Sequence, residues 1–193
     1  MKKSSPPVSK PSQTAKPVVE ASGNHLEVAF TEKEIRQRVR QLARQITRDY
    51  QDKSLHVVGV LDNCVVFMAD LIRALTIPAG CSFISTRMRD SASGLIAMRE
   101  ISYGPPVELR GKDVLLVDGV LQSGVTFDYL CRTLLAQHPA SLRTAALLDK
   151  SNDRRVDIPV DYAGFKVPGG FLVGYGLAYR EQYRGLPYLA RMA

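Results

Sequence analysis

The chain has 193 residues, 45% hydrophobic and 23% charged, enough for one domain with a full core; no apolar run nears the roughly 20 residues that span a bilayer, so no membrane partner is expected. Its formal charge is +7, of which residues 1–24 carry +3 (Lys2, Lys3, Lys10 and Lys16 against Glu20), and no RNA- or DNA-binding motif accompanies the excess, so nucleic acid is not an expected partner. Cys64, Cys81 and Cys131 are odd in number and far apart, which argues against a disulfide framework or a zinc site and points to buried thiols in a reducing cytoplasm.

Residues 1–24 are rich in Pro, Ser and Lys without apolar periodicity and read as a disordered tail; the lysines at the start have no apolar stretch behind them, so a secretory signal is not expected. The folded domain is predicted over 25–193. Thr31-Glu32-Lys33-Glu34 has the capping-box pattern, and Ile35, Val39, Leu42 and Ile46 follow at helical spacing, with Arg and Gln filling the other face. A short apolar run over 56–61 predicts a strand, Asp62-Asn63 a break, and 65–75 a helix ending before Pro78. The neighbouring strand is predicted over 81–86, a flexible polar segment over 87–94, and an antiparallel arm over 95–103.

Strands over 113–117, 142–148 and 160–165 and a helix over 126–137 complete the alternation. Its physical outcome is an α/β fold: a twisted, mostly parallel sheet with helices on both faces, plus a small hood or arm region. Ligands of such sheets bind beyond the carboxyl ends of the strands. Asp118-Gly119 and Gln122-Ser123-Gly124-Val125-Thr126 stand at such an end, just before a helix. Hydroxyls, backbone N–H groups and a close-approach glycine at a helix start suit a phosphate, although Ser and Thr there also serve simply as caps.

DVLLVDGVLQSGVT (residues 113–126) resembles the PRPP-binding signature of the hypoxanthine-guanine phosphoribosyltransferase family. VVGVLDNCVVFMADLIRAL, LLDKSNDRRVDIPVDYAGFKVP and VGYGLAYREQYRGLPYL resemble other segments of that family, in its order. The resemblance implies a type I phosphoribosyltransferase-like fold and transfer of 5-phosphoribose from PRPP to a 6-oxopurine, with Mg²⁺ and release of pyrophosphate. It also implies a homodimer or homotetramer whose partners are PRPP or a purine nucleoside monophosphate.

Carried over residue by residue, the resemblance assigns Ser123, Gly124, Val125 and Thr126 to the 5′-phosphate. It assigns Lys150 to the purine 6-oxygen, Tyr162 to stacking on the base, and Ala163 to a backbone contact with the base edge. Asp118 matches the first acid of the family's acidic pair, and Gly119 replaces the second. Gln122 stands where the family has its general base, and an amide is not basic near neutral pH. Asp62 and Asn63 occupy the pyrophosphate loop, with Asp62 in place of a cation, and Gly169 stands at a metal-associated acid. Arg87 and Arg89 fall on the mobile loop, and Arg184 matches a family arginine that either anchors structure or meets ligand. Cys64 has no paired His and is not expected to act as a nucleophile. The sequence thus reads as a purine phosphoribosyltransferase whose catalytic acids are largely replaced, or a nucleotide- or PRPP-binding protein without turnover.

Overall fold

The computed structural model describes residues 18–21, 24–89, 98–103 and 108–192, with side chains described over 25–85 and 108–192. Of the tail expected over 1–24, residues 1–17, 22 and 23 therefore lie outside the described residues. Strands β1 (Val18–Ala21) and β2 (Asn24–Phe30) pair antiparallel, within the span where the sequence led us to expect tail up to residue 24. Helix α1 (Glu32–Asp49) then opens on Thr31. The Thr31 hydroxyl accepts from the Glu34 N–H at 3.3 Å and the Glu34 carboxylate from the Thr31 N–H at 2.7 Å, which closes the capping box.

The chain continues through β3 (Leu55–Leu61), α2 (Val65–Ala74), β4 (Ala79–Arg89), β5 (Met98–Tyr103), β6 (Asp113–Leu121), α3 (Val125–Leu135) and β7 (Ser141–Asp149). It ends with β8 (Tyr162–Lys166), β9 (Leu172–Val173) and β10 (Leu189–Met192). The main sheet has the order β5-β4-β3-β6-β7-β8, in which β5 alone runs antiparallel. Two differences from the sequence reading lie here. Residues 87–89, expected as loop, extend β4, with Arg87 paired to Glu100 and Arg89 to Met98, and β6 continues past Val117 to carry Asp118 and Gly119 inside the strand.

Parallel strands covered on both sides must be apolar on both sides. Accordingly Val57, Leu115, Val117 and Ala145 join the core under α1 and α2, which give it Ile35, Val39, Leu42, Phe67, Met68 and Leu71. Val58, Val114, Leu116 and Ala146 join the opposite core under α3, with Phe127, Leu130 and Leu134. A second sheet, β1-β2-β10-β9, forms the small hood, and its Leu172 and Leu189 belong to the first core. Among the three thiols only Cys64 is buried; Cys131 is half-buried and Cys81 exposed, so the expectation of buried cysteines holds for one.

Candidate functional site

Because β3, β6, β7 and β8 run parallel, the segments after their carboxyl ends meet along one edge of the sheet. These are Asp62–Cys64, Gln122–Gly124, the single 3-10 turn Ser151–Asp153 that follows Lys150, and residues 167–171.

Gly124 caps the start of α3 at φ 80°, where a side chain is strained, and a Cβ there would stand 2.8 Å from the Val156 carbonyl oxygen. The loop is braced from behind, the Arg155 and Val156 N–H groups donating to the Ser123 carbonyl at 2.9 and 3.2 Å. Val125 is the first helical residue, and as at any helix start the first-turn N–H groups have no acceptor within the helix. An open cavity of about 230 Å³ lies against this loop, lined by Asn63, Asp118, Gln122, Ser123, Gly124 and Thr126 among others. Backbone donors, hydroxyls and a helix N-terminus make this recess suited to a phosphate.

Asp118 sits half-buried in β6, its Oδ1 accepting from the Val120 N–H at 3.4 Å. Burial pushes its carboxyl up to about 7, and the Val120 and Gly119 N–H groups offset only part of that. Gly119, expected at the second acid position, leaves no room for any side chain, since a Cβ would lie 2.4 Å from the Asn63 carbonyl oxygen. The loop after β3 therefore packs directly on β6 at Gly119.

Gln122 is fixed at both ends. Its Nε2 donates to Asp153 Oδ2 at 3.1 Å, and its carbonyl accepts from Arg154 Nη1 at 3.1 Å. Arg154 is itself held by Asp149 at 2.5 Å in an ion pair with little exposure. Asp153, Arg154 and Asp149 were not among the residues singled out from sequence; the signal was there in Asp149-Lys150-Ser151-Asn152-Asp153-Arg154, a charged run beyond a strand's carboxyl end.

Lys150 is buried, donates to the Gly170 carbonyl at 2.8 Å, and is held below its ordinary pKa by burial. A smaller cavity of about 130 Å³ brings it together with Gln122, Asn63, Phe171, Leu172 and Ala178. Phe171 is half exposed over that cavity and meets Tyr179 edge-on at 5.5 Å between ring centroids. It is the pocket's aromatic, missed from sequence although an aromatic after Gly169-Gly170 beyond a strand end was a visible sign.

Tyr162 and Ala163 do not reach this pocket. Tyr162 opens β8 opposite Ala145, whereas Lys166 lies opposite Asp149; Tyr162 thus stands about 13 Å short of the strand's carboxyl end. Its ring is buried in the core, and its hydroxyl donates to Asp49 at 2.7 Å while accepting from Arg143 at 2.8 Å. The Ala163 and Gly164 carbonyls accept from Arg38 of α1. Both residues of the expected base contact serve instead to hold α1 against β8.

The remaining positions fall around the edge. Asp62 and Asn63 are exposed; Arg184 approaches Asp62 at 3.9 Å and donates to Asn63 Oδ1 at 2.9 Å and the Gly176 carbonyl at 2.6 Å. Arg184 therefore ties the loop after β3 to the C-terminal segment. Cys64 is buried, and burial together with the nearby Asp118 charge pushes its thiol up to about 12, too high for a nucleophile. The side chains of Arg87 and Arg89 lie outside the described ones.

The donor set does not fit a protein-held Mg²⁺. Gly119 and Gly169 offer no carboxylate, and among the described residues no three His, Cys, Asp or Glu come together.

Residues 30–180 match the family model described as a phosphoribosyl transferase domain. A hypoxanthine-guanine phosphoribosyltransferase of Dictyostelium discoideum is 41% identical over 170 residues, covering 86% of this chain and 94% of the relative. A hypoxanthine phosphoribosyltransferase of Salmonella typhimurium is 37% identical over 171 residues, covering 86% of this chain and 95% of the relative. A solved hypoxanthine phosphoribosyltransferase of Staphylococcus aureus superposes with a TM-score of 0.80 at 36% identity, covering 86% of this chain and 91% of that one. With the fold, the strand-end loops and these relatives in agreement, the chain belongs to the phosphoribosyltransferase family, among proteins named for hypoxanthine and guanine.

Proposed function

We propose that the chain binds a 6-oxopurine nucleoside monophosphate at this edge and carries the family's transfer from PRPP only weakly. The observation that carries the reading is the meeting of the Ser123–Thr126 recess with Lys150 and Phe171 in two adjoining cavities that share Asn63, Val120 and Gln122. In it the loop takes the 5′-phosphate, Lys150 donates to the 6-oxygen, Phe171 stacks on the base, and Asp118 meets a ribose hydroxyl.

Transfer needs a group that handles the purine proton while pyrophosphate departs. Gln122 is no base, so a contribution of roughly 10²–10⁴-fold is missing. A second reading, nucleotide or PRPP sensing without turnover, is favoured by one contact: the Asn63 carbonyl fills the place of the second acid. In both readings the protein is a cytoplasmic homodimer or homotetramer, and Mg²⁺ enters, if at all, on the pyrophosphate of PRPP.

The test is PRPP-dependent pyrophosphate release with hypoxanthine, guanine and xanthine, beside titrations of GMP, IMP and PRPP. Slow release with clear GMP or IMP binding is expected. Robust turnover refutes the weakened-transfer reading, binding without any release supports sensing, and no binding of any nucleotide refutes both. Light scattering of the eluted protein checks the oligomer.

A further inference from the structure

Helix α1 carries an Arg-Gln pair every four residues: Arg36-Gln37, Arg40-Gln41 and Arg44-Gln45, with Arg48 continuing the first row. A four-residue step rises about 6 Å and turns little beyond a full circle, so the arginines form one slanting row and the glutamines a second beside it. All seven side chains are exposed, because the apolar face of the helix (Ile35, Val39, Leu42, Ala43, Ile46) is committed to the core. Arg36 pairs with Glu32, and Gln41 accepts from Arg38 at 3.1 Å. Arg40, Arg44 and Arg48 have no ion pair among the described residues. Lys33 adds to this face, and Arg73 of α2 shares a groove of about 480 Å³ with Arg36 and Arg40. The acids on α1 and α2 are Glu32, Glu34, Asp49 and Asp70; Asp49 is engaged by Arg143 and the Tyr162 hydroxyl, and Asp70 by the Tyr175 hydroxyl and Arg73.

We infer that the exposed face of α1 is a docking surface for an RNA duplex, read by its backbone and not its sequence. Guanidinium groups spaced along a row suit a line of phosphates, to which they donate in pairs. The parallel glutamine row supplies groups that both donate and accept, as a ribose 2′-hydroxyl requires, and the wide minor groove of A-form RNA presents those hydroxyls beside its phosphates. No large hydrophobic side chain of α1 is exposed. A lipid surface would find nothing to insert against, and a single strand would find no aromatic on which to stack. The sequence reading set nucleic acid aside for want of a motif; the two rows become a surface only once burial of Ile35 to Ile46 turns them outward together.

The test is fluorescence anisotropy with the full chain and a ~20-base-pair RNA duplex of arbitrary sequence, since shape-reading modules span about 16 base pairs. The same sequence as DNA duplex, the single-stranded RNA, and phosphatidylcholine–phosphatidylserine vesicles complete the arms. The RNA duplex is expected to bind most tightly. The triple variant Arg40→Gln, Arg44→Gln, Arg48→Gln is expected to weaken it at least about tenfold and to flatten the slope of log affinity against log salt by roughly 2–3. Gln37→Ala with Gln45→Ala is expected to lose the preference for RNA over DNA while binding DNA as before. An unchanged melting temperature shows that the variants fold. Equal or tighter binding of DNA, of single strands or of vesicles overturns the inference. So does undiminished RNA binding by the triple variant, which would place the contact on Lys2, Lys3, Lys10 and Lys16 instead.

Discussion

Gln122 faces a carboxylate, and that governs what an acid would do there. In Gln122→Asp two anions would face one another across a gap now bridged by a 3.1 Å hydrogen bond, and their repulsion replaces that bond. Gln122→Asp alone is expected to gain little transfer, whereas Gln122→Asp with Asp153→Asn is expected to gain about tenfold or more, read as pyrophosphate release. Asp118 makes a pH prediction. Its carboxyl ordinarily titrates near 3.8 and in the fold near 7, so the native state keeps a proton that the unfolded chain loses. Stability from this group is present below about pH 4, falls as pH rises to about 7, and is level beyond. Urea unfolding at pH 5 and pH 8 is expected to show that fall, and Asp118→Asn to reduce it. The two aromatics separate cleanly: Phe171→Ala is expected to weaken GMP binding about tenfold, in keeping with roughly 1–1.5 kcal/mol for a lost ring contact. Tyr162→Phe is expected to leave GMP binding alone and cost roughly 0.5–1.5 kcal/mol of stability. Equal effects of the two on GMP binding would contradict the pocket described here.

Among the elements, β6 shows how one packing contact links Gly119 to a loop distant in the chain. The Asn63 carbonyl between β3 and α2 rests where a side chain on Gly119 of β6 would start, so loop and strand constrain one another. Gly119→Asp, the simple restoration of an acidic pair, is expected to destabilise the fold by about 1–3 kcal/mol and not to restore transfer, because overpacking must first displace the loop. Thermal melting and pyrophosphate release check the two halves separately. The loop is also tied by Arg184 to Asn63 and to the Gly176 carbonyl, which resists that displacement. None of this was legible in the segment 57–75 or in 113–126 taken alone, since each shows its own substitution and neither shows the contact.

At the scale of the whole molecule, two sheets divide the work: the parallel sheet builds the site and the hood sheet closes the core beside it, through Leu172 and Leu189. Val18–Ala21 covers the outer edge of β2. Removing residues 1–23 is expected to lower the melting temperature and promote self-association, because β2 is left as an open edge; calorimetry and light scattering check it. The sequence by itself determined the alternation of strands and helices, the capping box at Thr31, the glycine-led loop at Gly124 and the absence of a carboxylate at Gly119 and Gln122. Those are local matters, set by side-chain period, turn chemistry and residue type within a few positions. Tertiary structure alone decided that Phe171 and not Tyr162 lies in the pocket, that Asp153 holds Gln122, and that the Asn63 carbonyl lies where a side chain on Gly119 would begin. Each depends on register between strands or on the approach of two loops distant in the chain, which no window of neighbouring residues encodes.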